Sequence, residues 1–256
     1  MVCNNRVKEK LSAGQVTTVI GGHALTSATI DFLGPLDFDG YWLEGEHGSV
    51  AWNEIGDLSR ACDLWGKSSV MRVHANEFGR ITRTLDNGAN GIVVPHVNTR
   101  SDAEQVVRAA RFAPAGIRGF FPGRRSYGAS DYYETANEDT LVVVLIEEVQ
   151  AVENLSDILQ VDHIDVFFVA PGDLSQSMGL VGQMHHPEVR SVVDSALRQI
   201  VASGRNAGAM GFEDTLEHYI GLGVRMFLAD YDDWVTNGAQ GYINKVNTLS
   251  GNSRGA

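Results

Sequence analysis

Cysteine is almost missing from this chain: its 256 residues contain two, Cys3 and Cys62. Two thiols cannot form the disulfide framework of a small secreted scaffold, so a hydrophobic core must supply stability and a reducing cytoplasm is the expected setting. Cys3 falls in an N-terminal stretch expected to fray. No apolar run approaches the roughly 18 to 20 residues that span a bilayer, and Met1–Leu11 lacks the apolar segment of a secretory signal. Basic residues are in deficit, with 20 Lys and Arg against 32 Asp and Glu and a formal net charge of −12. That balance argues against nucleic acid, which requires a clustered positive surface, but leaves room for a small anionic substrate in a local positive pocket. No Gly-x-Gly-x-x-Gly follows the first apolar run, which lowers a dinucleotide-binding reading. No lysine ends an expected strand, which leaves a Schiff-base mechanism without support.

Apolar residues are present in quantity, at 43% of the chain, and they are organised. Eight short β-like runs occur: Val16–Gly22, Asp39–Glu44, Ser68–His74, Gly91–Pro95, Leu141–Glu147, Asp165–Ala170, Asn206–Met210 and Val224–Ala229. Most are continuously apolar, as expected for parallel strands covered on both faces. Helix-period segments separate them. One opens at Ser101, expected as its N-cap; one carries Pro187 at its start; one runs from Glu213 to stop signals at Gly221 and Gly223. Eight alternations in a chain of this length predict an α/β fold, a single (β/α)8 TIM barrel over residues 1–256, with a short helix over 5–13 and a disordered tail from about 250 to 256. The stretch Ala113–Asp139 is too long for an ordinary connection and holds Arg118, Arg124 and Arg125 among glycines. It is expected to be a lid or binding loop.

In such a barrel the chemistry sits where strands end. Glu147 and Asp173 each follow an apolar run and are candidate ligands for a hard divalent cation, Mg²⁺ or Mn²⁺ with Co²⁺ a further candidate. The competing reading makes them a capping Glu and an N-cap Asp. His47, after a strand end between Gly45 and Gly48, can exchange a proton near neutrality. Glu44 and Glu46 flank the same turn, where one is expected to orient the imidazole or a nearby arginine. Arg72 ends an otherwise apolar run and needs an anionic partner, either a structural carboxylate or that of a substrate. His96, after Pro95, is a further candidate at the rim. Arg118, Arg124 and Arg125 are either a solvated charge run or a receptor for an anionic substrate tail.

Six collinear motifs carry a family resemblance. They are Asp37-Phe-Asp-Gly-Tyr-Trp-Leu-Glu-Gly-Glu46-His47-Gly48, Val70-Met-Arg72-Val, Leu85-Asp86-Asn-Gly-Ala-Asn-Gly91-Ile-Val-Val-Pro95, Arg111-Phe-Ala-Pro-Ala-Gly-Ile-Arg118-Gly119, Ile146-Glu147 and Pro171-Gly-Asp173-Leu-Ser. Together they resemble the HpcH/HpaI-type class II pyruvate aldolases. The resemblance implies a divalent-metal-dependent carbon–carbon lyase that reversibly cleaves a 4-hydroxy-2-oxo acid to pyruvate, or a related 2-oxo acid, and an aldehyde. By the same resemblance His47 is the catalytic base, Arg72 binds substrate and stabilises the transition state, and Asp86 raises the basicity of the histidine. Glu147 and Asp173 hold the metal, and Gly172, Asp173 and the position of Leu145 contact substrate. The family further implies a homo-hexamer, a trimer of dimers exchanging a C-terminal helix, so that Asp86 would serve a neighbouring subunit. Two departures stand out: Leu145 replaces a common glutamine, and Glu44 replaces a common aspartate.

Three rival readings share this frame. One is a decarboxylase of oxaloacetate or another β-keto acid working through the same enolate, to which His96 would contribute. Another is a citrate-lyase-β-like enzyme acting on a CoA thioester. The last is a non-catalytic homologue that binds metal or oxo acid, for which Leu145 is the main argument.

Overall fold

The computed structural model describes residues 5–23 and 25–251. Eight parallel strands close into a barrel in sequence order: β1 (Thr17–Gly21), β2 (Gly40–Glu44), β3 (Ser68–Arg72), β4 (Gly91–Val94), β5 (Leu141–Ile146), β6 (Val166–Val169), β7 (Ala207–Met210) and β8 (Met226–Asp230). All eight expected runs therefore become strands. They are short and strongly apolar because helices cover their outer faces while side chains fill the inside.

Side chains alternate along a strand, so residues two apart share the barrel interior. The interior cluster contains Val19, Trp42, Val70, Val93, Val143, Leu145, Phe168 and Met226. Continuing the same period by one step brings Glu44 above Trp42, Arg72 above Val70, Glu147 above Leu145 and Asp230 above Leu228. Strand register and side-chain alternation thus deliver four ionisable residues to the C-terminal rim. The opposite mouth is closed by the helix Arg6–Ser12, whose Val7 and Leu11 join the interior cluster. Asn5 anchors it, donating to the carbonyls of Asn90 and Asp139 at 3.0 and 2.9 Å and accepting from the Ser68 hydroxyl.

Several local expectations shift. The helix Arg100–Ala110 is capped by Thr99 rather than Ser101, through a capping box with Asp102 that satisfies backbone donors from both sides. The helix Pro187–Ala202 does start at its proline, and Leu216–Leu222 ends on Gly223 with φ +96°. The stretch 113–139 is not a bare loop: it contains a 3-10 turn, Arg124–Ser126, and a helix, Tyr132–Asp139. The helix Tyr231–Ser250 ends where the tail was expected to begin. Residues 252–256 of that tail, and Cys3 of the N-terminal stretch expected to fray, lie outside the described residues.

Candidate active site

The rim is organised around Arg72. Its Nη2 lies 2.5 Å from Glu46 Oε2, 3.4 Å from Glu147 Oε2 and 3.6 Å from Asp173 Oδ2, and its Nη1 lies 3.6 Å from Glu44 Oε2. The two readings of this arginine are thereby joined: structural carboxylates hold it, and they hold it at a mouth open to ligand. Four carboxylates against one guanidinium leave an excess of negative charge.

The turn after β2 is shaped by Glu44. Its Oε1 accepts the backbone N–H groups of Glu46 and His47 at 2.8 and 3.0 Å, while Oε2 accepts from Trp42 Nε1 at 3.2 Å. Glycine is required on this turn by close approach. A Cβ on Gly45 would sit 2.5 Å from the Arg72 carbonyl oxygen, and one on Gly48 would sit 2.6 Å from that of Glu44. The turn leaves the His47 ring exposed over the mouth, its Nε2 3.9 Å from Glu46 Oε2.

Glu147 is fully buried, and burial pushes its carboxyl up to about 7; Arg72 and the His96 N–H oppose that rise, and Asp173 adds to it. His96 adopts φ +56°, a left-handed backbone that costs about 1 kcal/mol or more in a residue other than glycine. In that conformation its N–H donates to Glu147 Oε1 at 2.8 Å, while its ring bridges Glu148 at 2.8 Å and Glu46 at 3.1 Å. Burial pulls the His96 pKa down, but the Glu148 hydrogen bond and the surrounding carboxylates outweigh it, and the net direction is up. Asp173 is not an N-cap. Ala170 holds that position, and Asp173 projects from the first turn of the helix Pro171–Ser177. Gly172 beside it has open space where a Cβ would be.

The carboxylates around Arg72 form a donor set suited to a divalent cation. It is all oxygen and has a surplus of negative charge. Glu46 Oε2 is buried without a hydrogen-bond partner, since its contact with Arg72 lacks hydrogen-bond alignment. Hard oxygen donors and uncompensated charge fit Mg²⁺ or Mn²⁺ rather than a thiophilic metal. A second ligand-type group gathers on the other side of the mouth, where donor atoms of His23, Asp230 and Asp232 lie within 4.8 Å of one another. There the histidine Nδ1 and backbone N–H are both committed to Asp232 Oδ2 at 2.7 Å, and the ring is solvent-exposed. The buried Glu147 side is the better match.

Three expectations are corrected by the placement of residues. Leu145 is 1% exposed and packs in the barrel interior one layer below Glu147, so it is a core residue and not a substrate contact. The segment bearing Arg118, Arg124 and Arg125 joins a helix to β5, so it enters the barrel at the N-terminal mouth, opposite His47, and is no lid over its own chain's site. Its arginines are already paired, Arg118 with Asp86 at 2.7 Å, and Arg124 and Arg125 with Asp63 at 2.7 and 3.0 Å. Asp86 ends the helix Phe78–Asp86 at that same far mouth. A cavity of about 420 Å³ lies there too, bounded by Asn5, Asn90, Arg118, Arg125 and Tyr132. It is larger than the cavity beside Arg72 but lies at the mouth where αβ connections carry stability rather than chemistry.

The cavity beside Arg72 measures about 200 Å³ and is lined by His23, Trp42, Glu44, His47, Arg72 and Asp230. Reading the strand ends alone missed His23 and Asp230. The signal was present in Gly21-Gly22-His23 after β1 and in Asp230 closing β8.

Comparison with known proteins shows the family of the chain. The HpcH/HpaI aldolase/citrate lyase family model matches residues 26–232. A hydroxypyruvate/pyruvate aldolase of Roseobacter denitrificans is 35% identical over 82% of this chain and 84% of its own. A 4-hydroxy-2-oxo-heptane-1,7-dioate aldolase of Klebsiella pneumoniae is 33% identical over 88% of this chain and 87% of its own. The crystal structure of an HpcH/HpaI aldolase/citrate lyase family protein from Burkholderia cenocepacia superposes with a TM-score of 0.88, at 25% identity over 95% of this chain and 99% of the other. The chain belongs to the HpcH/HpaI aldolase/citrate lyase family, as a class II aldolase among the carbon–carbon lyases.

Proposed function

We propose that the protein reversibly cleaves a 4-hydroxy-2-oxo acid into pyruvate, or a related 2-oxo acid such as hydroxypyruvate, and an aldehyde. The observation that carries this reading is the convergence of Glu147, Asp173 and Glu46 on Arg72 at the C-terminal rim, with His47 above them. Glu147 and Asp173 would hold Mg²⁺ or Mn²⁺, which when bound polarises the 2-oxo acid and lowers the cost of enolate charge. Arg72 faces the developing enolate oxygen and carboxylate, offering N–H donors that the surrounding carboxylates pre-orient. Glu46 and Glu44 keep that guanidinium from swinging into solvent. His47 takes the proton of the C4 hydroxyl during cleavage and returns it during addition. The exposed edge of Gly172 lets the substrate carboxylate approach backbone at the start of the helix Pro171–Ser177.

A trimer of dimers belongs to the same reading. The helix Tyr231–Ser250 has no buried residue in the single chain and exposes Trp234, Val235, Tyr242, Ile243, Val246 and Leu249. An apolar face of that size is supported as the element exchanged between copies. Asp86 would then meet a neighbour's His47 from the far mouth of its own barrel. Cytoplasmic residence fits the buried, free thiol of Cys62, and no described helix is long and apolar enough to cross a membrane.

The test is pyruvate release from 4-hydroxy-2-oxo acids, coupled to lactate dehydrogenase, with and without EDTA. Chelation should abolish release and Mg²⁺ or Mn²⁺ restore it. Full activity in EDTA with a borohydride-trapped adduct would overturn the reading. His96, bonded to Glu46 and Glu148 beside Glu147, supports oxaloacetate decarboxylation through the same enolate as a second activity. Loss of CO₂ from oxaloacetate in the same assay series measures it.

A further inference from the structure

The aldehyde has to approach from the side of the mouth that the 2-oxo acid leaves open. With the keto acid held by Arg72, Glu147 and Asp173, that side is the cavity of about 200 Å³ between β1, β2 and β8. Its volume lies below the roughly 300–1,000 Å³ of sites for drug-sized ligands, so it suits a short aldehyde. Gly21 and Gly22 form a bare wall there. A Cβ on Gly22 would lie 2.5 Å from the Tyr231 ring, and one on Gly21 would lie 3.3 Å from both Leu228 and Trp42.

Two polar residues crown this wall. Asp230 is paired in register with Gly21 and borders the cavity, its Oδ1 accepting the Asp232 N–H that opens the following helix. His23 is held by Asp232 through Nδ1 and its backbone N–H, which leaves Nε2 for a ligand. Besides Arg72, already ringed by carboxylates, the cavity lining contains no lysine or arginine. A carboxylate tail would therefore meet Asp230 and Glu44, and the charge of a protonated His23 ring is already matched by Asp232, 2.7 Å from its Nδ1. A hydroxyl group can donate to Asp230 and accept from His23 at once. The hydrogen bond that His23 Nδ1 donates to Asp232 raises the His23 pKa and favours the doubly protonated ring, whose Nε2 then donates.

We propose that His23 and Asp230 select the acceptor, favouring a short neutral hydroxyaldehyde over an anionic or an unsubstituted one. The proposal rests on the aldolase reading above and names the substrate class of that same site. It replaces the arginine-rich segment, which lies at the other mouth, as the source of acceptor preference.

The experiment compares kcat/KM with pyruvate for glycolaldehyde, propanal and succinic semialdehyde in the wild type, His23→Ala, Asp230→Ala and Asp230→Asn. Ratios between aldehydes within one protein are insensitive to partial misfolding, and Asp230→Asn keeps a good helix cap while removing the charge. The wild type should prefer glycolaldehyde over each competitor by 10-fold or more. His23→Ala and Asp230→Ala should bring glycolaldehyde and propanal within about 3-fold, because each variant removes a hydrogen-bond partner that only the hydroxyl-bearing aldehyde can use. Asp230→Asn should raise the relative use of succinic semialdehyde. A wild type that prefers succinic semialdehyde, or ratios unmoved in all three variants, would overturn the proposal. Exchange of the pyruvate methyl protons with D₂O in the wild type, without aldehyde, separates the two readings. Its absence overturns enolate formation and this proposal together, whereas exchange with unmoved ratios overturns this proposal alone.

Discussion

Arg72 and Glu147 meet across one intervening strand, Nη2 to Oε2 at 3.4 Å, with the carboxylate fully buried. Neither is a conventional surface pair. Each is the rim residue of an otherwise apolar interior column, so breaking the pair changes the site more than the barrel. Arg72→Ala should lower kcat by about 10²–10³, the scale of losing one preorganised donor to a developing oxyanion. Arg72→Lys should recover little, because an ammonium cannot reproduce the fork that spans Glu44, Glu46 and Glu147. Steady-state kinetics on both variants checks this.

Glu147 also sets a pH signature in the metal-free protein. Its carboxyl is raised to about 7 from an ordinary value of 4.5. Between those values the folded chain keeps a proton that the unfolded chain has released. The fold is therefore favoured at the acid end of that window and loses stability as pH rises through it. In EDTA, the melting temperature of wild type should fall from pH 5 to pH 8 relative to Glu147→Gln, which should also fail to bind Mn²⁺. A wild-type curve that rises against the variant would mean Arg72 keeps Glu147 ionised throughout.

His47→Asn should cost about 10²–10⁴ in kcat while leaving Mn²⁺ affinity near wild type, since the ring is a proton carrier outside the proposed ligand set. Glu44→Ala should impair the same step indirectly, because it frees the N–H groups of Glu46 and His47 that hold the turn. Metal titration beside turnover distinguishes the two effects from loss of the cation.

Arg125→Ala should destabilise the fold by about 3 kcal/mol, the lower end for breaking a buried ion pair. The guanidinium is 8% exposed and bonds Asp63, the Gly88 carbonyl and Asn90. Denaturant midpoints read the effect. A midpoint unchanged from wild type would show that Arg124, which shares Asp63, suffices alone.

Cys62 is buried, and burial pushes its thiol above the ordinary range. A Cys3→Ser variant should therefore resist Ellman's reagent at pH 9 while folded and yield one equivalent in guanidinium. Rapid native reaction would show that the helix Ile55–Leu64 opens locally.

Much of this was legible in the order of residues. Eight apolar runs alternating with helical periods specify a parallel barrel, because only strands covered on both faces remain apolar throughout. The terminal residues of those runs, Arg72 and Glu147, were legible for the same reason: a charge ending a buried strand has to emerge at the rim. What the order of residues could not determine was which end of the barrel a connection joins and what stands opposite it. Arg118, Arg124 and Arg125 looked like an anion receptor because charge and glycine are local properties, yet their partners Asp86 and Asp63 lie more than thirty residues away. Leu145 was a site position through the family resemblance alone, but two residues before Glu147 on the same strand face it stands one layer beneath the rim, in the core. His23 and Asp230 sit 207 positions apart and become neighbours only when β8 closes against β1. Closure of the barrel is a long-range event, and it decides which ionisable groups face one another across the mouth.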